Sequence, residues 1–372
     1  MSALTRLSLA VVLLLAASAA RAKVDVSSLY RVYNDGVTKV ESPHFDVSAK
    51  IMKDRGTISA GFAQDILTSA SSDVKSYSTR SEISDKRTEF SGTFSMEVED
   101  GQLGWSYIRS EENDYSSNIY AFAGTRDFFQ KNTVLFMSFS YGEDRIWASR
   151  DPANKKPMTH ETYSLALTQV IDQKSIVQLL YDFRVESGYL SSPYRKARQN
   201  TTCSAGGSGC VSPNDENHPL TRNRHSLAAK YNFFYSPMKL AFANTFRLYF
   251  DSWAVASGTI EERITRKLGS AFDIALNLRY YYQKEASFYQ DKYDDLGPFH
   301  TGNKTLSNYD TLLVGVRPTI NFSEKLQLYA KMEYYTVGYK NHTDVGVLSD
   351  PSDDKALKIT ATVYGVGFEG QF

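Results

Sequence analysis

Cysteine is almost missing from this chain: 372 residues contain two, Cys203 and Cys210. That scarcity excludes a disulfide-stapled scaffold and any cysteine-rich metal module. Six residues separate the pair in a Gly/Ser-rich stretch. In an exported chain they are expected to close one small disulfide loop. Zinc held together with His218 and His225 is the competing reading, although the spacing does not follow a structural zinc pattern. An excess of one charge is missing too, since 42 Lys and Arg meet 42 Asp and Glu. With no basic stripe, nucleic acid is not an expected partner. Beyond residue 22 no apolar run reaches ten residues without a charge or an amide. No segment there can form the spanning helix of roughly 20 apolar residues. Phosphate-binding glycine loops, nucleophile elbows and metal-helix motifs are also lacking. No cofactor is implied and catalysis is not expected. An outer-membrane hydrolase acting on lipid or peptide is the minor reading.

What is present begins with an export signal. Arg6 precedes the apolar run Leu7 to Ala17, and Ala20-Arg21-Ala22 supplies a small-residue cleavage site. A charged start, a short apolar stretch and an A-x-A end describe a cleaved secretory signal peptide over residues 1–22. Ala20 is the competing cleavage site, and an uncleaved N-terminal anchor is the alternative to cleavage. The remaining chain, 23–372, reads as one domain. Removing Arg6 and Arg21 leaves 40 basic against 42 acidic residues. Aromatic residues are abundant, with 25 Tyr, 21 Phe and 3 Trp, yet mean hydropathy is −0.39. A membrane barrel reconciles the two, because only alternate residues face lipid.

The alternation itself is plain. Leu326, Leu328, Ala330, Met332 and Tyr334 share one face, and Gln327, Lys331 and Glu333 the other. Residues 89–98, 177–186 and 272–283 repeat the pattern. A period of two separates such sets across a sheet, whereas a helix would scatter them. Short turns recur near 54–56, 99–101, 130–132, 172–174, 236–238, 268–270 and 323–325. Between them fall polar segments, most of them longer, near 70–85, 145–160, 189–223, 286–310 and 340–355. Short connections alternating with longer ones are the habit of transmembrane barrels. The expected fold is all-β: a transmembrane up-and-down antiparallel β-barrel of about 16 strands, with short periplasmic turns and long external loops. Fourteen strands is the alternative. The strands are expected to start near 24, 44, 57, 86, 102, 117, 133, 161, 175, 224, 239, 258, 271, 311, 326 and 356. The first and twelfth carry the weakest patterns, the twelfth because Glu261, Glu262 and Arg263 run in succession. Pro318 removes a ladder donor and is expected to mark a bulge near the turn. Tyr364, Val366, Phe368 and Phe372 share one face of the last strand. Phe368 and Phe372 form the candidate signal for the barrel-assembly machinery, although Gly370 stands where a second aromatic is usual.

Charged residues on these strands should face the lumen, since Lys or Arg on the lipid face at the midplane costs about 2–4 kcal/mol. The lumen-lining candidates are Glu89, Glu97, Arg184, Glu186, Arg247, Asp273, Arg279, Arg317, Lys331 and Glu333; Asp182 belongs with them. They could line a water-filled channel or pair into a network that holds the wall. Asp291, Asp294 and Asp295, and likewise Asp350, Asp353 and Asp354, fall in expected external loops. They could chelate a divalent ion bridging lipopolysaccharide, but neither spacing follows the calcium-loop template. His44, His160, His218, His225, His300 and His342 lie in or beside expected loops, with no recognisable Ser/His/Asp arrangement. Asn200, Asn303, Asn321 and Asn341 begin N-x-S/T triplets without meaning in a bacterial outer membrane.

Four segments carry a family resemblance. Leu278-Arg279-Tyr280-Tyr281-Tyr282-Gln283-Lys284-Glu285-Ala286-Ser287-Phe288-Tyr289 resembles the R-Y-Y-x-Q-x-x-A-x-F-Y segment of an uncharacterised outer-membrane barrel family, domain-of-unknown-function family 3570. Gly188-Tyr189-Leu190-Ser191-Ser192-Pro193-Tyr194 is similar to its G-Y-L-x-x-P-Y segment. Asp65-Ile66-Leu67-Thr68-Ser69-Ala70-Ser71 is similar to its D-x-x-S-x-A-S stretch, with Thr68 in place of Ser, and Asp251-Ser252-Trp253 also fits. The resemblance implies a barrel in the outer membrane of a Gram-negative bacterium and no established activity. The expected function is a passive or substrate-selective pore. A non-conducting structural or envelope-associated barrel working through its external loops is the alternative. Expected partners are outer-membrane lipid and lipopolysaccharide, and the assembly machinery during insertion. Nothing identifies an oligomer.

Overall fold

The computed structural model describes residues 23–69, 83–202, 208–343 and 356–372. The signal segment 1–22, Cys203 and the acidic group Asp350, Asp353 and Asp354 lie outside these residues. Eighteen strands follow one another. The first nine are β1 (Val24–Asn34), β2 (Thr38–Ile51), β3 (Gly56–Ser69), β4 (Ile83–Val98), β5 (Gly101–Glu111), β6 (Tyr115–Phe128), β7 (Thr133–Ala148), β8 (Asp151–Asp172) and β9 (Ser175–Gly188). A short hairpin, β10 (Lys196–Thr202) and β11 (Ser208–Asp215), interrupts the series. It continues with β12 (Thr221–Tyr235), β13 (Leu240–Asp251), β14 (Ala256–Lys267), β15 (Phe272–Lys284), β16 (Tyr309–Ser323), β17 (Leu326–Thr343) and β18 (Ala356–Gln371).

Sixteen of these form one closed barrel in which each strand pairs with its neighbours in sequence, β9 pairing with β12 across the inserted hairpin. The ring shuts where β1 meets β18, antiparallel from Asp25↔Gln371 to Asn34↔Thr362. Closure leaves no unpaired sheet edge, the condition for burying strands in hydrocarbon. The two weakest sequence patterns, β1 and β14, are ordinary members of the ring, each paired on both sides.

Side chains point inward at odd-numbered positions of β1, β3, β4, β6 and β13–β18, and at even-numbered positions of β2, β5, β7–β9 and β12. The outward set is apolar and open to the surroundings: Phe122 is 58% exposed, Phe246 53% and Leu248 63%. Outward aromatics meet along the wall: Tyr107 and Tyr120 stand 5.3 Å apart and Phe139 and Tyr163 5.1 Å, while toward the turn end Phe233 and Phe242 stand 6.3 Å apart. His225, also outward, lies between Phe183 and Phe250, each 4.8 Å away, and bonds the Tyr181 hydroxyl. One polar break interrupts the band. Glu262, in the middle of β14, pairs across the strands with Asn244 and Leu278, both outward.

Connections differ at the two ends. At the turn end Gly101 closes the β4–β5 hairpin, where a Cβ would stand 1.9 Å from the Thr125 carbonyl oxygen. At the loop end two expectations need correction. Residues 145–160 are no long loop: β7 and β8 run on past the rim as an extended hairpin turning at 149–150. The long loop 189–220 carries the β10–β11 hairpin. Pro318 likewise breaks nothing, since Val316↔Met332 and Thr319↔Tyr329 keep one register across it. Its ring points outward, and the irregularity falls later, between Asn321 and Ser323.

Candidate functional site

Inside the loop end lies a chamber of about 680 Å³. Its walls are inward residues of β9 and β12–β15, among them Asp182, Glu186, Arg224, Arg247, Tyr249 and Tyr281. Its roof comes from loops, through Leu190, His218, Trp253, Val255, Asn303 and Leu306.

The roof is built around Asp251, the last residue of β13. Its carboxylate accepts from Arg222 (Nε at 2.8 Å, Nη2 at 2.5 Å), from the Tyr249 hydroxyl at 2.6 Å, and from the Trp253 and Val255 amides at 2.9 and 3.0 Å. Arg222 stacks 4.3 Å from the Trp253 ring, whose Nε1 donates to the Thr221 carbonyl. Trp253 then packs with Val255, Ala286, Tyr289 and Leu306 into the one cluster of buried apolar side chains described. Gln283 donates its amide to the carbonyls of Thr305 and Ser307, pinning the loop 285–308 over the wall.

A second tie joins the two long loops. Glu216 accepts from the Thr301 hydroxyl at 2.6 Å, the Gly302 amide at 3.0 Å and the Ser192 amide at 3.2 Å. Asn217 pairs with His300, and Gln199 with Tyr293. Arg198 forms an ion pair with Asp291, which also accepts from the Thr343 hydroxyl and faces His342 at 3.3 Å. His218 is held by the Leu190 carbonyl and lies 3.7 Å from Glu216. Burial pushes its imidazole below the ordinary value, partly opposed by Glu216. Burial raises the Tyr293 hydroxyl.

Three of the four segments that carry the family resemblance therefore meet at this roof. Gln283, Ala286, Phe288 and Tyr289 come from one, Leu190 from another, and Asp251 and Trp253 from the third. Spacing in sequence gave no sign that they converge.

The ten lumen-lining candidates all occupy inward positions of the ladder. Lys331 pairs with Glu333 at 2.8 Å, and Gly315 leaves room for that carboxylate, since a Cβ there would meet Glu333 Cγ at 2.7 Å. Arg317 stacks 3.9 Å from the Tyr329 ring and faces Glu369 at 3.7 Å. Glu186 bonds both Arg184 and Arg224. Glu89 pairs with Arg87, and Asp273 accepts from Asn321. Arg247 and Arg279 have no carboxylate within ion-pair reach among the described residues, and Glu97 sits at the turn end of β4. A larger hollow of about 1310 Å³, reaching Asp25, Asp46, Asp273 and Glu369, opens at the turn end. At the closing strand, Phe368 points outward between Ser28 and Leu328, while Phe372 is 69% exposed and its backbone bonds Val24.

Other candidate sites resolve differently. His218 lies in the roof and His225 on the outer face of β12, so the two cannot share a zinc ion. The disulfide expectation cannot be followed, because Cys203 lies outside the described residues; Thr201 pairs with Cys210 across the β10–β11 hairpin. Asp291 and Asp294 are occupied by loop contacts with Arg198 and Asn200. A cluster the sequence reading missed joins Asp85, Glu112 and Asp114 at the loop end, their oxygens within 4.8 Å of one another. Burial raises the carboxyls of Glu112 and Asp114. A second missed cluster lies in the wall: Ser117, Asp144 and His160, all buried, with His160 Nε2 3.7 Å from Asp144. Ser117 stands opposite Asp144, so the acid lies between hydroxyl and imidazole. That reverses the order a Ser-His-Asp relay requires.

Comparisons agree with this picture. The model of a family described as "Protein of unknown function (DUF3570)" matches residues 74–162 and 153–352. No curated protein matches the chain. A bacterial polysaccharide outer membrane secretin is similar in structure, with a TM-score of 0.52 at 9% identity over 93% of this chain and 97% of that one. CdiB from Acinetobacter baumannii is similar at a TM-score of 0.52 and 8% identity, over 94% of this chain and 60% of its own length. At such identities the likeness is one of fold.

Proposed function

The chain belongs to the DUF3570 family of proteins of unknown function, and on that premise we propose that it is a passive or substrate-selective pore in a bacterial outer membrane. One observation carries the reading: the closed wall has two opposite faces. Outward positions offer lipid a nearly continuous apolar band, while inward positions carry most of the strand charges. A ring of sixteen strands is the size at which porins enclose an aqueous channel. Export would follow from the signal segment 1–22, and Phe368 and Phe372 would serve recognition during assembly. Solutes would enter from the external side past the roofed chamber and leave through the hollow at the turn end. Arg247 and Arg279, with no carboxylate within ion-pair reach among the described residues, are the lumen charges expected to govern ion preference.

Reconstitution into a planar bilayer tests this. Stepwise conductance is expected, and reversing Arg279 to Glu should move the reversal potential toward cation preference. A silent bilayer containing folded protein would refute it. The roof supports the second reading, a non-conducting barrel acting through its external loops. Glu216, Asp251 and Arg198 tie those loops to one another and to the rim by many bonds. A silent bilayer would favour it.

A further inference from the structure

The lumen charges are sorted by wall. The sorting holds at inward positions two or more residues in from a strand end, with β8 taken from Met158, where its pairing with β9 begins. On β1–β9 these positions hold seven carboxylates and three arginines; on β12–β18 they hold seven Arg or Lys and three carboxylates. The two imbalances are equal and opposite, so the lumen as a whole has no excess of either sign. Local pairing does not erase the separation. Arg87–Glu89 and Arg184–Glu186 cancel within the first wall, Lys331–Glu333 and Arg317–Glu369 within the second. Arg224 shares Glu186 across the seam between β9 and β12. Of the charges left over, Asp46, Asp65, Asp85, Asp144 and Asp182 stand on one side against Arg31, and Lys230, Arg247, Arg263 and Arg279 on the other against Glu261. None of these has an oppositely charged Lys, Arg, Asp or Glu within 4.0 Å among the described residues. Asp182 is bonded by the Ser164 hydroxyl instead, at 2.6 Å.

We propose that this pore takes zwitterionic solutes of amino-acid size, held across the channel with the ammonium toward β1–β9 and the carboxylate toward β12–β18. The inference deepens the pore reading and rests on it. A field across a water-filled cleft with low-dielectric walls acts on both ends of a dipolar solute at once. A single ion gains at one wall what it loses at the other. Selectivity between simple ions should therefore be weak, while an amino acid should pass more readily than a neutral molecule of the same size and shape.

Alanine and lactamide are isomers, one zwitterionic and one neutral, and they make the test. Proteoliposomes holding the full mature chain are shifted into iso-osmotic alanine or lactamide, and swelling rates are compared with planar-bilayer reversal potentials in sodium chloride. The wild type should swell at least about twofold faster in alanine, with sodium and chloride nearly equally permeant. Replacing Lys230, Arg247 and Arg279 together by Gln should abolish the alanine preference and make the pore cation-selective. Asp46→Asn with Asp182→Asn should abolish it with the opposite ion preference, which keeps the test alive if the first variant does not fold. Equal swelling in the two isomers through a conducting wild-type pore overturns the inference and leaves the pore standing. Absence of both swelling and conductance overturns the pore itself, and the inference with it.

Discussion

Asp251 offers the sharpest test of how the roof is held. Its side chain is wholly buried and that of Arg222 is 10% exposed, and the carboxylate accepts five bonds. Asp251→Ala removes all five and leaves a guanidinium desolvated without a counter-charge. Breaking one half of a buried pair costs about 3–5 kcal/mol. The hairpin 252–255 is fastened by this group, so the loss should show as local opening. At about 1.36 kcal/mol per tenfold, amide exchange at Trp253 and Val255 should quicken by roughly a hundred- to several-thousandfold. Asp251→Asn keeps an acceptor but loses the charge, and should cost about 1.5–3 kcal/mol. The double variant Arg222→Met with Asp251→Leu replaces the pair with packed apolar groups, and should recover most of the loss, because it strands no charge. Hydrogen exchange on protein reconstituted in lipid reads all three. Less than a tenfold change for Asp251→Ala, or a double variant no better than the single one, would refute the reasoning.

Three further outcomes follow from named contacts. Glu262→Leu fills the polar break on the lipid face and should stabilise the barrel by about 1–2 kcal/mol, read from urea unfolding in lipid vesicles; an unchanged midpoint would mean Glu262 is not lipid-facing. Gly142→Ala would place a Cβ 2.1 Å from the His160 ring, and should cost about 1–3 kcal/mol through overpacking, again by urea midpoint. Burial holds His218 below its ordinary 6.5, so the folded roof binds fewer protons than the unfolded loop. Its contribution is present above about pH 6.5 and is lost as pH falls. Protease cleavage within 189–220 should therefore quicken between about pH 7.5 and 5.5, and His218→Gln should flatten that dependence. Glu216, Arg195 and Arg222 are the charges that face this imidazole, and a profile unchanged by the substitution would assign the effect to one of their neighbours.

The sequence by itself determined the barrel. A two-residue rhythm states the face of every side chain without reference to any other strand, which is why Leu326 to Thr336 could be oriented unaided. Turn residues such as Glu99-Asp100-Gly101 stated where each strand stops, and sixteen strands followed from counting them. Even here, the 145–160 segment misled, because polarity marks exposure to water and not the absence of a strand. Only the tertiary structure decided the rest. Ser117, Asp144 and His160 are 43 residues apart from first to last, yet adjacent strands make them neighbours. Glu216 finds Thr301 85 residues away, across two loops. The sorting of carboxylates to one wall and of Arg and Lys to the other is likewise invisible along the chain. It exists only once closure turns the order of strands into positions around a ring, because electrostatic forces depend on distance in space.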